Sequence, residues 1–427
     1  MPHRKRRNMK RRYHRDMVTA LYADEDGQIL DVPGIRAMGR IGSENVPISP
    51  KDLIPLPDTA DLMYMPGCRA VGIDQEGEEI VIPGYAVAAI LPAGYTRSFV
   101  PAYERENDSE RLALYGYTAV CLYHGELYTT AIYTDENHKW DPDNYNTDEL
   151  LELTKRVKKE IPDNRLVDHL ANCSLEWHCQ TAENLFYHRW EAGLPTSPVC
   201  NAKCFGCISF QPDDSCDSPQ HRIGFKPTAE EIAQVGIYHL SSHKEAIISF
   251  GQGCEGEPSL AADRIAPAIH MMREKTSYGQ ININTNAGWT DGIKKIVDAG
   301  LDTMRVSIIS AIPESYDAYY RASYHLDDVK DSIRYALDHG IYVSLNMLYF
   351  PGFNDCDEEL GAWKVFIKDV PIQMIQVRNL NVDPDAFLEI MPHHAGKKNG
   401  TKYFLKELHD TRPDMVIGSF SHYVEDR

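Results

Sequence analysis

From about residue 195 onward, short apolar runs alternate with segments whose apolar residues recur every three or four positions. "PTSPV", "EAIISFG", "QININTN", "TMRVSIIS", "IYVSLNMLYF" and "MIQVRNLNV" read as strands. The segments that follow them have a helical period: "PTAEEIAQVGIYHL", "SLAADRIAPAIHMMREK", "TDGIKKIVDAG", "HLDDVKDSIRYALDHG", "DEELGAWKVFIKDV" and "TKYFLKELHD". Thr228 and Glu231 have the spacing of a capping box, and Gly300 and Gly340 stand where helices stop. Alternation of this kind predicts a parallel sheet with helices outside it, as a partial barrel or a wound open sheet. In either case ligands meet the carboxyl ends of the strands.

The first 145 residues follow another rhythm. "YTAVCLY" and "ELYTTAIY", joined by His124-Gly125, alternate as a hairpin does. "GIDQEGEEIVI" has the same look, and "IVIPGYAVAAILPAGY" is broken by prolines and glycines into a pair of strands with turns. "DENHKWDPDNYNTD" (135–148) is turn-rich and marks a boundary. Helical periodicity follows in "DELLELTKRVKKEI", capped by Thr147 or Asp148, in "RLVDHLANC", and in "AENLFYHRWEAG", ending at Gly193. The expected organisation is a basic flexible arm (1–15), a β-rich amino-terminal domain (16–145), a helical linker (146–194), a strand–helix domain (195–390) and a carboxyl-terminal helix and tail (391–427).

Composition changes this picture in two places. The net charge is −19, which disfavours wholesale nucleic-acid binding. The first fifteen residues nevertheless hold eight Lys and Arg and no acid, leaving about −27 on the rest. Such an arm is read as a disordered solubilising segment, an RNA- or phosphate-binding arm, or a targeting peptide. No apolar run approaches a membrane span, and ten cysteines without a secretory segment point to a reducing compartment, expected to be the cytoplasm.

The cysteines carry the chemistry. "SPVCNAKCFGCISFQ" places Cys200, Cys204 and Cys207 in eight residues after the first predicted strand. Three thiols are too many for one disulfide and too few for a closed zinc site. The triplet could recruit Cys216 to bind zinc, stay unligated, or hold three irons of a 4Fe–4S cube with the fourth iron open. "GQGCEGEP" (251–258) follows the second strand and "NTNAG" the third, while Ser307, Ser310, Asn346, Gln376, Arg378 and Asn379 lie on later ones. Strands buried on both faces should be nearly all apolar, so these polar positions predict an interior that receives a polar ligand.

The C-x3-C-x2-C loop, followed one strand later by Gly256-Glu257-Pro258, resembles the radical S-adenosylmethionine superfamily over about residues 195–385. The resemblance implies a partial six-unit (β/α)6 barrel, so that the chain is α/β with a β-rich amino-terminal domain and a helical linker. It implies an enzyme in which Cys200, Cys204 and Cys207 hold a 4Fe–4S cluster. The cluster's open iron chelates S-adenosylmethionine, and one electron cleaves the cosubstrate to methionine and a 5′-deoxyadenosyl radical that abstracts hydrogen from substrate. Gly256, Glu257 and Pro258 match the turn that contacts the methionine ammonium. Glu255 stands where the family has another glycine, leaving open which glutamate faces the ligand. Gly206 replaces the usual aromatic before the last cysteine, with Phe205 one place earlier. Asn286, Arg305 and Ser307 are cosubstrate candidates by position alone. An electron donor such as ferredoxin or flavodoxin is the implied partner.

Other cysteines stay outside this scheme. Cys173, Cys179, Cys216 and Cys254 could hold a second iron–sulfur cluster, although the cysteine-rich carboxyl-terminal extension usual in members with auxiliary clusters is absent. Cys254 and Cys356 are the candidate catalytic thiols. His178 is expected to be packed rather than a ligand, and His393-His394 to be solvated. The substrate classes that remain are a peptide or protein, a small metabolite, and RNA for a methyl-transferring enzyme. A non-catalytic iron–sulfur or zinc protein is the opposing reading.

Overall fold

The structure is a computed structural model that describes residues 17–211 and 216–425. The basic arm therefore lies outside the described residues. The chain forms two compact units, each assembled from separate stretches. One runs to Glu136 and adds Tyr349–Leu360 and Asn379–Lys406; the other holds Asn137–Leu348, Gly361–Arg378 and the chain from Glu407. The division at Glu136 falls within the turn-rich stretch, and the helices after it share a unit with the parallel sheet.

The first unit is built on antiparallel strands, the longest being Ile29–Ile41, Asp61–Ile73 and Glu79–Ile90. Each of these three carries Pro-Gly in its interior, at 33–34, 66–67 and 83–84. Proline cannot donate to the ladder, and the second and third strands lose register between Tyr64 and Arg69. Small side chains fill the interior, where Ala20, Ala37, Ala70, Ala86 and Ala119 are buried. The stretch expected as two strands is thus one strand through Pro83-Gly84, followed by the short Tyr95–Arg97. The predicted hairpin forms, with Tyr123 opposite Glu126. His124 and Gly125 have φ of 53° and 84°, as a two-residue I′ turn requires.

The second unit begins with helices Leu150–Glu160, Arg165–Leu175 and Gln180–Tyr187. The first is capped by Glu149, without a side-chain bond, rather than by Thr147 or Asp148. Asn164 caps the second, its side chain accepting from the N–H groups of Leu166 and Val167. The third stops six residues short of Gly193. His188 and Trp190 take left-handed conformations (φ 54° and 47°), and Glu191–Gly193 becomes the first parallel strand. "PTSPV" is loop, because Pro195 and Pro198 have no N–H to give a ladder.

Seven strands then lie side by side in chain order: Glu191–Gly193, Ile247–Phe250, Gln280–Thr285, Thr303–Ile308, Tyr342–Tyr349, Met374–Asn379 and Val416–Gly418. The registers Glu191–Ile247, Ile247–Gln280, Asn282–Thr303, Thr303–Tyr342 and Met374–Val416 are parallel. The Thr228–Glu231 capping box forms, and Gly300 and Gly340 follow their helices with positive φ. The seventh strand and the helices Pro313–Tyr320 and Pro384–Ile390 go beyond the predicted elements. Both helices are short and begin at proline, so periodicity over a longer window does not register them.

Many polar side chains on these strands bond one another, while Asn284 Nδ2 and Asn346 Oδ1 are buried without a partner. Ser249 Oγ donates to Glu191 Oε1 at 2.6 Å, and Asn282 Nδ2 donates to Ser249 Oγ at 3.0 Å. Thr303 Oγ1 donates to Asn282 Oδ1 at 2.8 Å. Gln376 accepts from Arg305 Nη1 at 2.9 Å and donates to Ser344 Oγ at 3.3 Å. A buried network of this kind stands only if its members find partners. Among the described residues, no helix is long and apolar enough to cross a membrane.

Candidate functional site

The cysteine loop is held by backbone bonds to the short helix after the fourth parallel strand. Phe205 N–H donates to Tyr319 O at 3.0 Å and Lys203 N–H to Tyr320 O at 2.9 Å. Arg321, in a left-handed cap, donates from Nε to Lys203 O at 2.9 Å. Cys207 N–H closes the loop on Cys204 O at 3.2 Å. Arg222 reaches in from beyond, with Nη2 3.6 Å from Cys207 Sγ and Nε donating to Ser209 Oγ at 3.2 Å.

Burial pushes the Cys200 thiol up to about 11, helped by the charge of Glu257, and pushes Cys204 up further. Cys200 and Cys207 both act on Cys204. Cys200 and Cys204, whose ionisation burial and neighbouring charge disfavour, form with Cys207 a donor set awaiting positive charge. That chemistry fits an iron–sulfur cluster, whose iron supplies the charge that stabilises three thiolates.

The Gly-Glu-Pro turn lies against the same loop. Gly256 N–H donates to Ser197 O at 2.7 Å and Glu257 N–H to Val199 O at 2.8 Å. A Cβ on Gly256 would stand 2.0 Å from Val199 O, so only glycine allows this approach. Both glutamates are buried and engaged. Glu255 Oε2 accepts from the N–H groups of Thr196 (2.7 Å) and Ser197 (2.9 Å), and its Oε1 accepts from Gly251 N–H (2.5 Å). Burial raises its pKa to about 7 against the pull of these donors. Glu257 accepts from Ser259 N–H (2.9 Å), Thr285 Oγ1 (2.5 Å) and Asn286 N–H (2.8 Å). Pro258 opens the 3-10 turn that Glu257 caps. Both carboxylates brace the loop rather than stand open for a cation.

Asn286 joins this frame, its Nδ2 donating to Asn201 Oδ1 in the cysteine loop at 2.7 Å. Arg305 instead belongs to the buried strand network, bonded to Gln376 and Ser421 and 3.5 Å from Glu191. Ser307, two residues nearer the strand end, accepts from Asn346 Nδ2 at 3.2 Å. Four tyrosines, Tyr316, Tyr319, Tyr320 and Tyr324, are buried in the segment that holds the cysteine loop. Their rings pack in sequence, with Tyr316 and Tyr320 centroids 4.4 Å apart. The run "YDAYYRASY" is the signal for this wall. Phe205 is buried, with the Arg321 guanidinium 6.0 Å from its ring.

The remaining thiols separate. None of the ten cysteines is in a disulfide among the described residues. Cys173 and Cys254 meet, joined by His169, and the three ligand atoms lie within 4.8 Å of one another. The hydrogen bond from Cys254 holds the Cys173 thiol below the usual range, with His169 adding to it against burial. His169 belongs to no recognisable ligand motif, although "HLANC" puts it four residues before Cys173 on one helix face. Cys179 sits beside this group, its N–H donating to Cys173 O at 3.1 Å, while Cys216 is not part of it. Cys356 lies in the other unit, where burial pushes its thiol up to about 11. His178 is exposed rather than packed, carried outward by a left-handed backbone (φ 49°). His393 is exposed as expected, whereas His394 is half-buried, with Nε2 3.2 Å from Glu359 Oε1.

Part of this chain is similar to known proteins. The family model described as the radical SAM superfamily matches residues 194–363. A protein of Methanococcus maripaludis described as a probable GTP 3′,8-cyclase is 25% identical over 240 residues, 54% of this chain and 74% of its own. The GTP 3′,8-cyclase of Staphylococcus carnosus is 25% identical over 195 residues, 45% of this chain and 54% of its own. Among solved structures, the hydrogenase maturase HydG covers 64% of this chain at 16% identity and a TM-score of 0.38, with 63% of its own chain matched. SuiB of Streptococcus suis, bound to S-adenosylmethionine, covers 63% at 14% identity and a TM-score of 0.38, with 62% of its own chain matched. Over residues 194–363, this chain is similar to the radical SAM superfamily of enzymes.

Proposed function

We propose that the chain binds a 4Fe–4S cluster through Cys200, Cys204 and Cys207 and cleaves S-adenosylmethionine reductively. When bound, the cluster supplies one electron that splits the cosubstrate into methionine and a 5′-deoxyadenosyl radical, which takes hydrogen from an organic substrate. The observation that carries the reading is the backbone seam between Ser197–Val199 and Gly256–Glu257, which sets the Gly-Glu-Pro turn against the cysteine loop. In this reading the turn presents backbone to the methionine end of the cosubstrate. Glu255 and Glu257 hold that backbone in place, and Asn286 and Ser307 offer polar groups at neighbouring strand ends. Arg305 orders the strand interior through its bonds to Gln376 and Ser421. A low-potential donor of the ferredoxin or flavodoxin type supplies the electron, and a peptide, a protein or a small metabolite supplies the hydrogen.

The test is anaerobic. The protein is reconstituted with iron and sulfide, reduced, and given S-adenosylmethionine. Mass spectrometry should find 5′-deoxyadenosine with the wild type and none with Cys204→Ser. An intact cluster that neither binds nor cleaves the cosubstrate would sink the proposal in favour of an electron carrier. GTP, the substrate in the names of the two relatives, is the first compound to add as hydrogen source.

A further inference from the structure

A second donor set lies outside the cysteine triplet. His169 and Cys173 share one face of the helix Arg165–Leu175, with Nε2 and Sγ 3.5 Å apart. Cys254 approaches from the loop after the second parallel strand, and all three ligand atoms fall within 4.8 Å of one another. Cys173 and Cys254 are each 2% exposed.

We propose that His169, Cys173 and Cys254 bind a zinc ion, and that Cys179 completes the site. Metal–sulfur bonds of about 2.3 Å and metal–nitrogen bonds of about 2.0–2.1 Å place tetrahedral ligands roughly 3.5–3.8 Å apart. The His169–Cys173 spacing has this size, and the whole group needs only to contract slightly around one ion. An iron–sulfur cube puts each thiolate on a different iron, which spreads the sulfurs over a wider frame than this one. Imidazole with thiolates is the donor chemistry of closed zinc sites. Cys179 is tied to the group through its backbone. Its N–H bonds to Cys173 O, and its thiol now faces Thr181 Oγ1 at 3.3 Å.

Such an ion would link two parts of the second unit. Ile223 N–H donates to Cys254 O at 2.7 Å, and the next residue, Glu255, holds the backbone of Thr196 and Ser197 just before Cys200. The zinc would therefore fix the start of the Gly-Glu-Pro turn from the helical side. This assignment is independent of radical chemistry, and its test reads metal rather than turnover.

The experiment uses the full chain with Cys200, Cys204 and Cys207 all changed to Ser, produced with zinc in the medium and desalted. Mass-spectrometric metal analysis should find about one zinc per chain, close to none after a further Cys173→Ser or Cys254→Ser, and a partial loss with Cys179→Ser. Zinc at background in the triple variant, or unchanged by Cys173→Ser, overturns the proposal. So does iron with an iron–sulfur spectrum in its place, which would mean a second cluster. If these variants do not fold, X-ray absorption at the zinc edge of the wild-type holoenzyme decides. Two or three sulfurs with one imidazole support the site; an oxygen-rich shell or absent zinc rejects it.

Discussion

Two groups of cysteines in the same unit are assembled in opposite ways. Cys200, Cys204 and Cys207 come from one eight-residue loop, so chain connectivity alone brings them close. Cys173 and Cys254 are eighty-one positions apart and meet only because the helix Arg165–Leu175 and the loop after the second strand come together. Arg222 lies near Cys207 of the local triplet, and the Gly-Glu-Pro turn is bonded to the chain just ahead of Cys200. The long-range group is buried at both thiols, with a histidine on the same helix face as one of them. An open set of three suits a centre that must leave a position for a ligand, whereas a closed set suits a metal that holds structure. Glu255 connects the two, standing next to Cys254 in sequence and bonded to the backbone ahead of Cys200.

The largest expected effect that sharpens this contrast is Cys204→Ser. It should reduce 5′-deoxyadenosine formation to background while leaving zinc content unchanged, as read by product and metal analysis of one preparation. Simultaneous loss of both metals would show that the two groups are one centre. Next is Gly256→Ala. Its Cβ meets Val199 O at 2.0 Å, so the seam must open. Cosubstrate cleavage should fall by about 100-fold through misplacement of the turn, with cluster iron retained, which titration of cosubstrate binding would check. Glu255→Gln comes third. An amide NH2 would face the donors that the carboxylate now accepts. That should cost about 1–3 kcal/mol in thermal or urea unfolding, and it should weaken both sites together if Glu255 couples them. The smallest is Arg222→Ala. Removing a cationic donor near Cys207 Sγ should make the cluster's reduction potential more negative, on the order of tens of millivolts, without affecting zinc. A redox titration followed by electron paramagnetic resonance measures it.

Legibility followed distance along the chain. The hairpin at His124-Gly125, the Thr228–Glu231 box and the glycine stops after two helices were readable because each is set by neighbours within a few residues. The first parallel strand was misplaced by a few residues because "RWEAG" continues a helical pattern that the left-handed His188 and Trp190 interrupt. Polar residues inside strands are expected to face a bound polar ligand, and in the structure several bond one another. Their partners were not foreseen: Arg305 spends its donors on Gln376 and Ser421, far away in the chain.

By itself, then, the amino-acid order determined the class of the sheet, the place of the cysteine triplet after its first strand, and the glycine that the Gly-Glu-Pro turn needs. These depend on periodicity, spacing and backbone sterics, which are local properties. Only the tertiary structure decided that both glutamates of the turn are braces and that His394 is paired. It also decided that His169 and Cys173 meet Cys254. Hydrogen-bond acceptance and metal-ligand geometry depend on which distant atoms come within a few ångströms, and that follows from packing rather than from order along the chain.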